Sequence, residues 1–183
     1  MIRKMKTIIK LLLLSLILFT VVSCNHTSPQ KYLEITVLNT NIITGKYNSK
    51  YFNEIRELKR NNRLLVLESG QLENGTVKAY LNQNLIQPTT TALKKVQALE
   101  VNTDTENLIA ASEGFLIYCK QIFEKDYIEI AQMIDADEPE PNVDAAIERM
   151  FQIHDQAILK KLNHLDEIAT RYAEKHNIPL QFY

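Results

Sequence analysis

The chain has no tryptophan and only four glycines among its 183 residues. Glycine is the residue that most readily adopts positive φ, so a chain with few glycines has little means of making the many tight turns of an all-β protein. Leucine, alanine, glutamate, lysine and glutamine, which are good helix formers, are frequent instead. The composition therefore predicts an all-α fold.

Sequence signatures of common catalytic and metal sites are also missing. There is no serine-nucleophile elbow, no phosphate-binding loop and no Glu-x-x-His motif of the di-iron bundles. His154, His164 and His176 are ten and twelve residues apart, so no two of them form the i, i+4 pair that binds a metal on a helix. The acidic segment 135–144 lacks the turn glycine and closing glutamate of a calcium loop. We predict no enzyme activity, no metal and no cofactor.

The N-terminus carries an almost unbroken apolar run within residues 8–22. Four basic residues precede or interrupt its start: Arg3, Lys4, Lys6 and Lys10. The run is shorter than the roughly 20 residues of a transmembrane helix and is basic on one side only. This layout predicts a cleaved secretory signal peptide over residues 1–23, with an uncleaved N-terminal anchor as the alternative.

The residues Val21-Val22-Ser23-Cys24 at the end of this run resemble the lipobox of bacterial lipoproteins, which has an aliphatic residue, a free position, a small residue and cysteine. The resemblance implies cleavage between Ser23 and Cys24, and acyl chains such as palmitate on Cys24. Each buried methylene of such a chain contributes about 0.8 kcal/mol, so two or three chains hold a protein on a membrane. In many lipoproteins an aspartate after the cysteine causes retention at the inner membrane. Asn25 therefore implies the outer membrane if the host is Gram-negative.

Removal of the signal would leave a tether, residues 24–28, and one domain, residues 29–183. The signal holds four of the 21 basic residues and none of the 22 acidic ones, so the mature chain has a formal net charge of −5. An exported acidic protein is not expected to bind nucleic acid. Cys119 is the only other cysteine, so an intramolecular disulfide is excluded once Cys24 is acylated. The apolar neighbours of Cys119 predict that its thiol is buried.

Apolar residues recur at helical spacing along four long segments of this domain. The predicted segments are 29–68 (broken near Gly45), 76–101 (kinked at Pro88), 104–135 and 142–177. Ser28 is predicted as the N-cap of the first, and Thr103 with Glu106 as a capping box for the third. Because the connections are short, the predicted fold is an elongated up-down-up-down four-helix bundle. A strand over the β-branched residues 35–44 and a helical-hairpin solenoid are the alternatives.

Charge is distributed unevenly along the domain. Residues 31–95 have a formal charge of +5, and residues 100–175 have a formal charge of −10. Basic and acidic helices that pair inside the protein would explain this asymmetry. The other interpretation is a basic patch for an anionic membrane or an acidic partner, formed by Arg56, Lys59, Arg60 and Arg63.

Two functions follow from these observations. The first is a lipid-anchored, non-catalytic envelope lipoprotein that binds another envelope protein, such as a subunit of a secretion or transport assembly. The chain is rich in asparagine, isoleucine and lysine, and in this it resembles small helical lipoproteins of Bacteroidota, including those encoded with secretion machines. The second is a ligand- or metal-binding bundle, with a pocket lined by Tyr118, Tyr127, His154 and Tyr172.

Overall fold

The computed structural model describes residues 27–179, so the predicted signal peptide, Cys24 and His26 lie outside the described residues. Within them the chain is all-α apart from one short β-hairpin. The elements are α1 (residues 29–44), α2 (Ser49–Arg60), β1 (Leu65–Glu68), β2 (Gln71–Asn74), α3 (residues 77–97), α4 (residues 106–135) and α5 (Glu140–Lys175). Across residues 27–179, no helix is both long and apolar enough to cross a membrane.

Helix α1 begins where the sequence predicts. The hydroxyl of Ser28 accepts a hydrogen bond from the backbone N–H of Lys31 at 3.3 Å, and Pro29 occupies the first helical position. Proline is tolerated there because its missing N–H would have no partner inside the helix. The helix ends at Thr44, before Gly45, so the predicted break between α1 and α2 is confirmed.

Helices α1, α3 and α4 each contain one π-helical turn. These turns are Glu34–Leu38, Asn82–Ile86 and Phe123–Tyr127. A π-helical turn shifts the backbone hydrogen bonds from i−4 to i−5, so carbonyls near it need other donors. The buried hydroxyl of Thr36 donates to the carbonyl of Tyr32 at 2.7 Å, and that of Thr89 donates to the carbonyl of Leu85 at 2.7 Å.

Pro88 does not break helix α3, although the sequence predicts a break or a kink there. The π-helical turn Asn82–Ile86 immediately precedes it, and the N–H of Gln87 donates to the carbonyl of Asn82. Because the hydrogen-bonding pattern has already shifted at this point, the helix can contain Pro88, which has no N–H to donate. The helix continues to Gln97.

The prediction that the first helical segment extends to residue 68 is wrong, because residues 65–68 form a strand. Asn62, at φ 52°, follows the end of α2, and Ser69 and Gly70, at φ 50° and 87°, make the two-residue turn of a hairpin. The antiparallel pairs are Leu65–Asn74, Val66–Glu73, Leu67–Leu72 and Glu68–Gln71. The dipeptide Ser69-Gly70 favours a turn, but the short run Leu-Val-Leu before it fits a helix and a strand equally well.

Two contacts attach the hairpin to the helices. The side chain of Val66 is only 1% exposed, and Gly75 lies so close to it that a Cβ there would stand 2.7 Å from Val66 Cγ1. Gln83 on α3 donates from Nε2 to the carbonyl of Leu67 at 3.0 Å and accepts the N–H of Leu67 at 2.8 Å. The side-chain amide of Gln83 therefore covers the outer edge of β1.

Contacts between helix ends show that α3 and α4 run in opposite directions. The carboxylate of Asp135, at the end of α4, accepts the backbone N–H groups of Val77 at 2.7 Å and Lys78 at 3.1 Å, at the start of α3. At the other end of α3 the hydroxyl of Tyr32 donates to the carbonyl of Glu100 at 2.9 Å. We call these two ends of the domain the Asp135 end and the Tyr32 end.

Asp135→Ala is expected to lower the free energy of unfolding by about 1–2 kcal/mol, because two N–H groups at the start of α3 lose their acceptor. Glu129→Ala, a change at an exposed position of α4, is the control and should change it by less than about 0.5 kcal/mol. Urea denaturation followed by circular dichroism measures both. Equal losses for the two variants would show that the Asp135 contact contributes nothing specific.

The predicted capping box of Thr103 and Glu106 is wrong. The side chain of Asn102 accepts the backbone N–H groups of Asp104 at 2.9 Å and Thr105 at 3.1 Å. The hydroxyl of Thr105 in turn accepts the N–H of Asn102 at 3.0 Å. This turn orders the start of α4 in place of the box, because asparagine side chains readily bind nearby backbone groups.

All five helices contribute side chains to one core. Among the residues at most 1% exposed are Ile43, Phe52, Leu85, Phe115 and Leu165. The buried hydroxyl of Ser112 on α4 donates to the carbonyl of Thr36 on α1 at 2.7 Å. Cys119 is fully buried, as predicted, and burial raises the pKa of its thiol to about 12. The thiol therefore stays protonated, which makes it a poor nucleophile.

Candidate functional surfaces

Three of the four residues in the predicted basic patch make ion pairs with the turn between α4 and α5 and the start of α5. The pairs are Arg56–Asp144 at 2.6 Å, Lys59–Asp137 at 2.5 Å and Arg60–Glu140 at 2.8 Å. Lys59 also donates to the carbonyl of Ile134 at 2.5 Å. Arg63 lies beyond the end of α2 and has no ion pair with any described residue.

These ion pairs agree with the internal interpretation of the charge asymmetry. A basic helix, α2, contacts an acidic segment that follows it by about eighty residues. Ion pairs of this kind typically contribute about 0–1 kcal/mol each, so they specify how α2 docks more than they stabilise it. The role of the four basic residues toward a membrane or a partner stays a prediction.

The four residues predicted to line one pocket do not share a cavity. Tyr118 and His154 are adjacent, with the hydroxyl 2.9 Å from Nδ1. Tyr127 is fully buried, and its ring centroid lies 4.6 and 4.8 Å from those of two phenylalanines. Tyr172 lies near the Tyr32 end, where its ring centroid is 4.5 Å from that of His176. A binding site made by all four is therefore excluded.

His154 joins α4 and α5 through two side chains. Its Nδ1 is hydrogen-bonded to Tyr118, and its Nε2 lies 3.5 Å from a carboxylate oxygen of Asp126 in the π-helical turn of α4. The ammonium of Lys161 lies 5.5 Å above the Tyr118 ring. These contacts account for a polar residue on the apolar side of α5, since half-buried polar groups need partners.

A groove of about 580 Å³ runs between α4 and α5 near the Tyr32 end. Its α4 side includes the small residues Ala110, Ala111 and Gly114, and a Cβ added at Gly114 would meet nothing within 4 Å. Lys161, His164, Arg171 and Lys175 line its α5 side, and Asp104 is the one acidic residue in the lining. The volume lies in the range of small-molecule sites, roughly 300–1,000 Å³, and the basic wall suits an anionic ligand.

Asp104 joins the beginning of α4 to the end of α5. Its carboxylate pairs with the ammonium of Lys175, and its other oxygen lies 2.6 Å from Nε2 of His176. The hydrogen bond from Lys175 holds the pKa of Asp104 below its ordinary value, with a further contribution from His176 that burial partly opposes. A carboxyl group whose pKa is lowered on folding stabilises the native state when it is ionised.

We expect the stabilisation from Asp104 to be present above its ordinary pKa of 3.8 and to disappear as the pH falls below that value. Asp104→Asn should therefore lower the urea midpoint at pH 6 and leave it nearly unchanged near pH 2.5. Asp166 is a matched control with the opposite sign, because burial raises its pKa. Asp166→Asn should not lower the midpoint at pH 6. A loss for Asp104→Asn that does not depend on pH would contradict this assignment.

The hairpin carries a solvent-facing apolar surface that the sequence did not reveal. Leu65, Leu67 and Leu72 are 46%, 57% and 67% exposed. Side chains alternate between the two faces of a strand and Leu72 lies opposite Leu67, so the three leucines share one face. The available signal was the Ser-Gly turn between two short leucine-containing runs.

No protein-family model, curated protein or solved structure matches this chain. Among residues 27–179, no group of three or more histidine, cysteine, aspartate or glutamate side chains is arranged to hold a metal ion.

Proposed function

We propose that the chain is a lipid-anchored, non-catalytic lipoprotein of the cell envelope. In this proposal it is a helical scaffold or accessory subunit that binds another envelope protein, for example in a secretion or transport assembly. The observation that carries the proposal is the sequence Val21-Val22-Ser23-Cys24 after a basic and apolar N-terminus. Cys24 carries the lipid, and Asn25 favours the outer membrane of a Gram-negative host.

The proposal includes an elongated up-down-up-down four-helix bundle, in which α1 and α2 together form the first of the four helical units. The contacts at the Asp135 end and the Tyr32 end support alternating directions for the long helices. Helix α4, residues 106–135, is about 45 Å long at about 1.5 Å per residue.

This geometry suits a scaffold that stands on a membrane. Helix α1 begins at Pro29, only a few residues after Cys24, and this start lies at the Tyr32 end. A lipid on Cys24 would therefore anchor the Tyr32 end. The Asp135 end, with the hairpin and Arg63, would be held about 45 Å from the bilayer, within reach of a partner.

Lipidation is tested by growing cells with a palmitate analogue. We expect the wild-type chain to incorporate the label and to fractionate with membranes, and Cys24→Ser to lose both properties. Cys119→Ala is the matched control, because it removes the other cysteine and should keep the label. A Cys24→Ser chain that remains labelled would overturn the lipid anchor.

Scaffold function is tested by crosslinking intact cells and purifying the full chain in detergent. We expect one envelope protein to co-purify in a stoichiometric amount and to depend on the presence of the chain. Recovery of the chain alone from crosslinked membranes would count against the scaffold proposal.

The alternative proposal is a ligand- or metal-binding bundle, which the groove between α4 and α5 favours. Its basic wall predicts an anionic small molecule near His164 and Arg171. Native mass spectrometry and elemental analysis of the purified full chain test this alternative. This alternative predicts a bound species that is lost in Arg171→Ala, and a chain without bound metal or ligand would contradict it.

A further inference from the structure

We propose that the hairpin, residues 65–74, is the docking site for an extended segment of the protein partner. The segment adds a strand to β2 and places its apolar side chains on Leu65, Leu67 and Leu72. This inference rests on the proposed scaffold function and adds to it the location and the chemistry of partner binding.

The two edges of the hairpin differ. The N–H and C=O of Leu67 are bound by Gln83, so they point away from β2. Leu67 and Leu72 therefore form a non-hydrogen-bonded pair, and the N–H and C=O of Leu72 point away from β1. By the same alternation, those of Asn74 also point outward. The edge of β2 thus offers backbone donors and acceptors to a further strand, which is how extended peptides bind to sheet edges.

The leucine face supplies an apolar contact beside this edge. Protein edge strands usually carry charges or prolines that discourage pairing with other chains. β2 carries one charged residue, Glu73, but Leu72, the most exposed of the three leucines at 67%, also lies on this open strand. A neighbouring strand would cover this side chain with its own apolar residues, and cross-strand apolar pairs stabilise sheets.

The opposite face of the hairpin is acidic. Glu68 and Glu73 lie on the side of Val66, and neither makes an ion pair with any described residue. A strand beside β2 would place one set of its side chains next to Leu72 and the alternate set next to Glu73. The complementary segment therefore alternates apolar and basic residues.

Other occupants fit this surface less well. Pairing of β2 with a second copy would cover only the four residues of β2 on each side, far fewer than the roughly 20–30 residues per partner of a standard interface. It would also bring two acidic faces together. An anionic bilayer is disfavoured by Glu68 and Glu73 for the same electrostatic reason.

The hairpin is formed and packed against the helices without a partner. The burial of Val66, its close contact with Gly75 and the two hydrogen bonds of Gln83 hold it against the helices. A docking edge that is already formed reduces the entropy lost on binding.

The test uses the full chain in detergent and two short synthetic peptides, one alternating valine and lysine and one alternating valine and glutamate. We expect the lysine peptide to bind at least about tenfold more tightly than the glutamate peptide. Glu73→Lys should reverse this preference, and Leu72→Ser should weaken binding about tenfold. Leu159→Ser, a change at a 58% exposed leucine of α5, is the matched control and should leave binding unchanged.

Backbone pairing is tested separately, with a lysine peptide methylated on alternate backbone amides. Methylation removes the peptide N–H groups that would donate to the carbonyls of β2, so binding should be lost. Equal binding of the two unmodified peptides by the wild type, or unchanged binding by Leu72→Ser, would overturn the docking site. A dimer in sedimentation that Leu72→Ser abolishes would assign the hairpin to a second copy instead.

The docking site and the scaffold function have distinguishable failures. If the crosslinked envelope partner remains bound to both Leu72→Ser and Glu73→Lys, the docking site is wrong and the scaffold function stands. If the peptides bind as expected but no envelope protein co-purifies, the docking chemistry stands and the scaffold function fails.

Discussion

Tyr127→Ala is expected to lower the free energy of unfolding by about 3–5 kcal/mol, the cost of removing a fully buried aromatic ring from a packed core. The ring lies in the π-helical turn of α4 and packs against Phe52 and Phe123. Its hydroxyl also donates to the carbonyl of Lys46, in the turn between α1 and α2, at 3.0 Å. Three elements therefore lose contacts at once. Guanidinium denaturation followed by circular dichroism measures the loss.

Tyr127→Phe separates the ring from the hydroxyl. Phenylalanine keeps the aromatic packing but leaves the carbonyl of Lys46 without its donor, which should cost about 1–2 kcal/mol. If the phenylalanine variant is as unstable as the alanine variant, the hydrogen bond rather than the ring organises this part of the core. A loss below about 1 kcal/mol for Tyr127→Ala would show that the core repacks around the cavity.

The helices were predictable because their signals are local. Ser28 and Pro29 mark the start of α1, Gly45 follows its end, and the apolar periodicity of α4 and α5 is long enough to identify them as helices. These features depend on residues within a few turns of one another. The all-α class, the break near Gly45 and the burial of Cys119 follow from them.

The hairpin was not predictable, because its contacts join residues far apart in the sequence. Gln83 stabilises β1 from sixteen residues away, and Asp135 caps α3 from the end of α4. A four-residue run such as Leu65–Glu68 has no periodicity that distinguishes a strand from a helix. In α3 the adjustment at Asn82–Ile86 lets Pro88 stay inside the helix, and the sequence carries no clear signal for it.

The candidate sites also divide into one that local sequence predicts and others that depend on tertiary contacts. The residues Val21-Val22-Ser23-Cys24, which resemble a lipobox, form a linear pattern, so the lipid anchor on Cys24 is a prediction from the sequence alone. The functional surfaces depend on tertiary contacts instead: Arg56 pairs with Asp144, and Tyr118 meets His154 while Tyr127 is buried elsewhere. The sequence identifies basic, aromatic and acidic residues, but their partners decide whether they remain available to another molecule.

Gly75→Ala is expected to destabilise the hairpin by about 1–3 kcal/mol, the usual cost of overpacking. A Cβ at position 75 would overlap both methyl groups of Val66, whose side chain is almost fully buried. Because the hairpin is a small part of the fold, the effect should be local. Hydrogen exchange at the amide of Leu67, which Gln83 protects, should therefore accelerate, whereas the amides of α4 should keep their protection.

The double variant Val66→Ala with Gly75→Ala tests the cause of this effect. Shortening Val66 removes the two methyl groups that the new Cβ would meet, so part of the protection at Leu67 should return. Binding of the valine–lysine peptide should follow the same order, weakened in Gly75→Ala and partly restored in the double variant. Acceleration that persists unchanged in the double variant would exclude the Val66 contact as its cause. Full peptide binding by a hairpin opened in this way would show that the partner segment does not need a preformed edge.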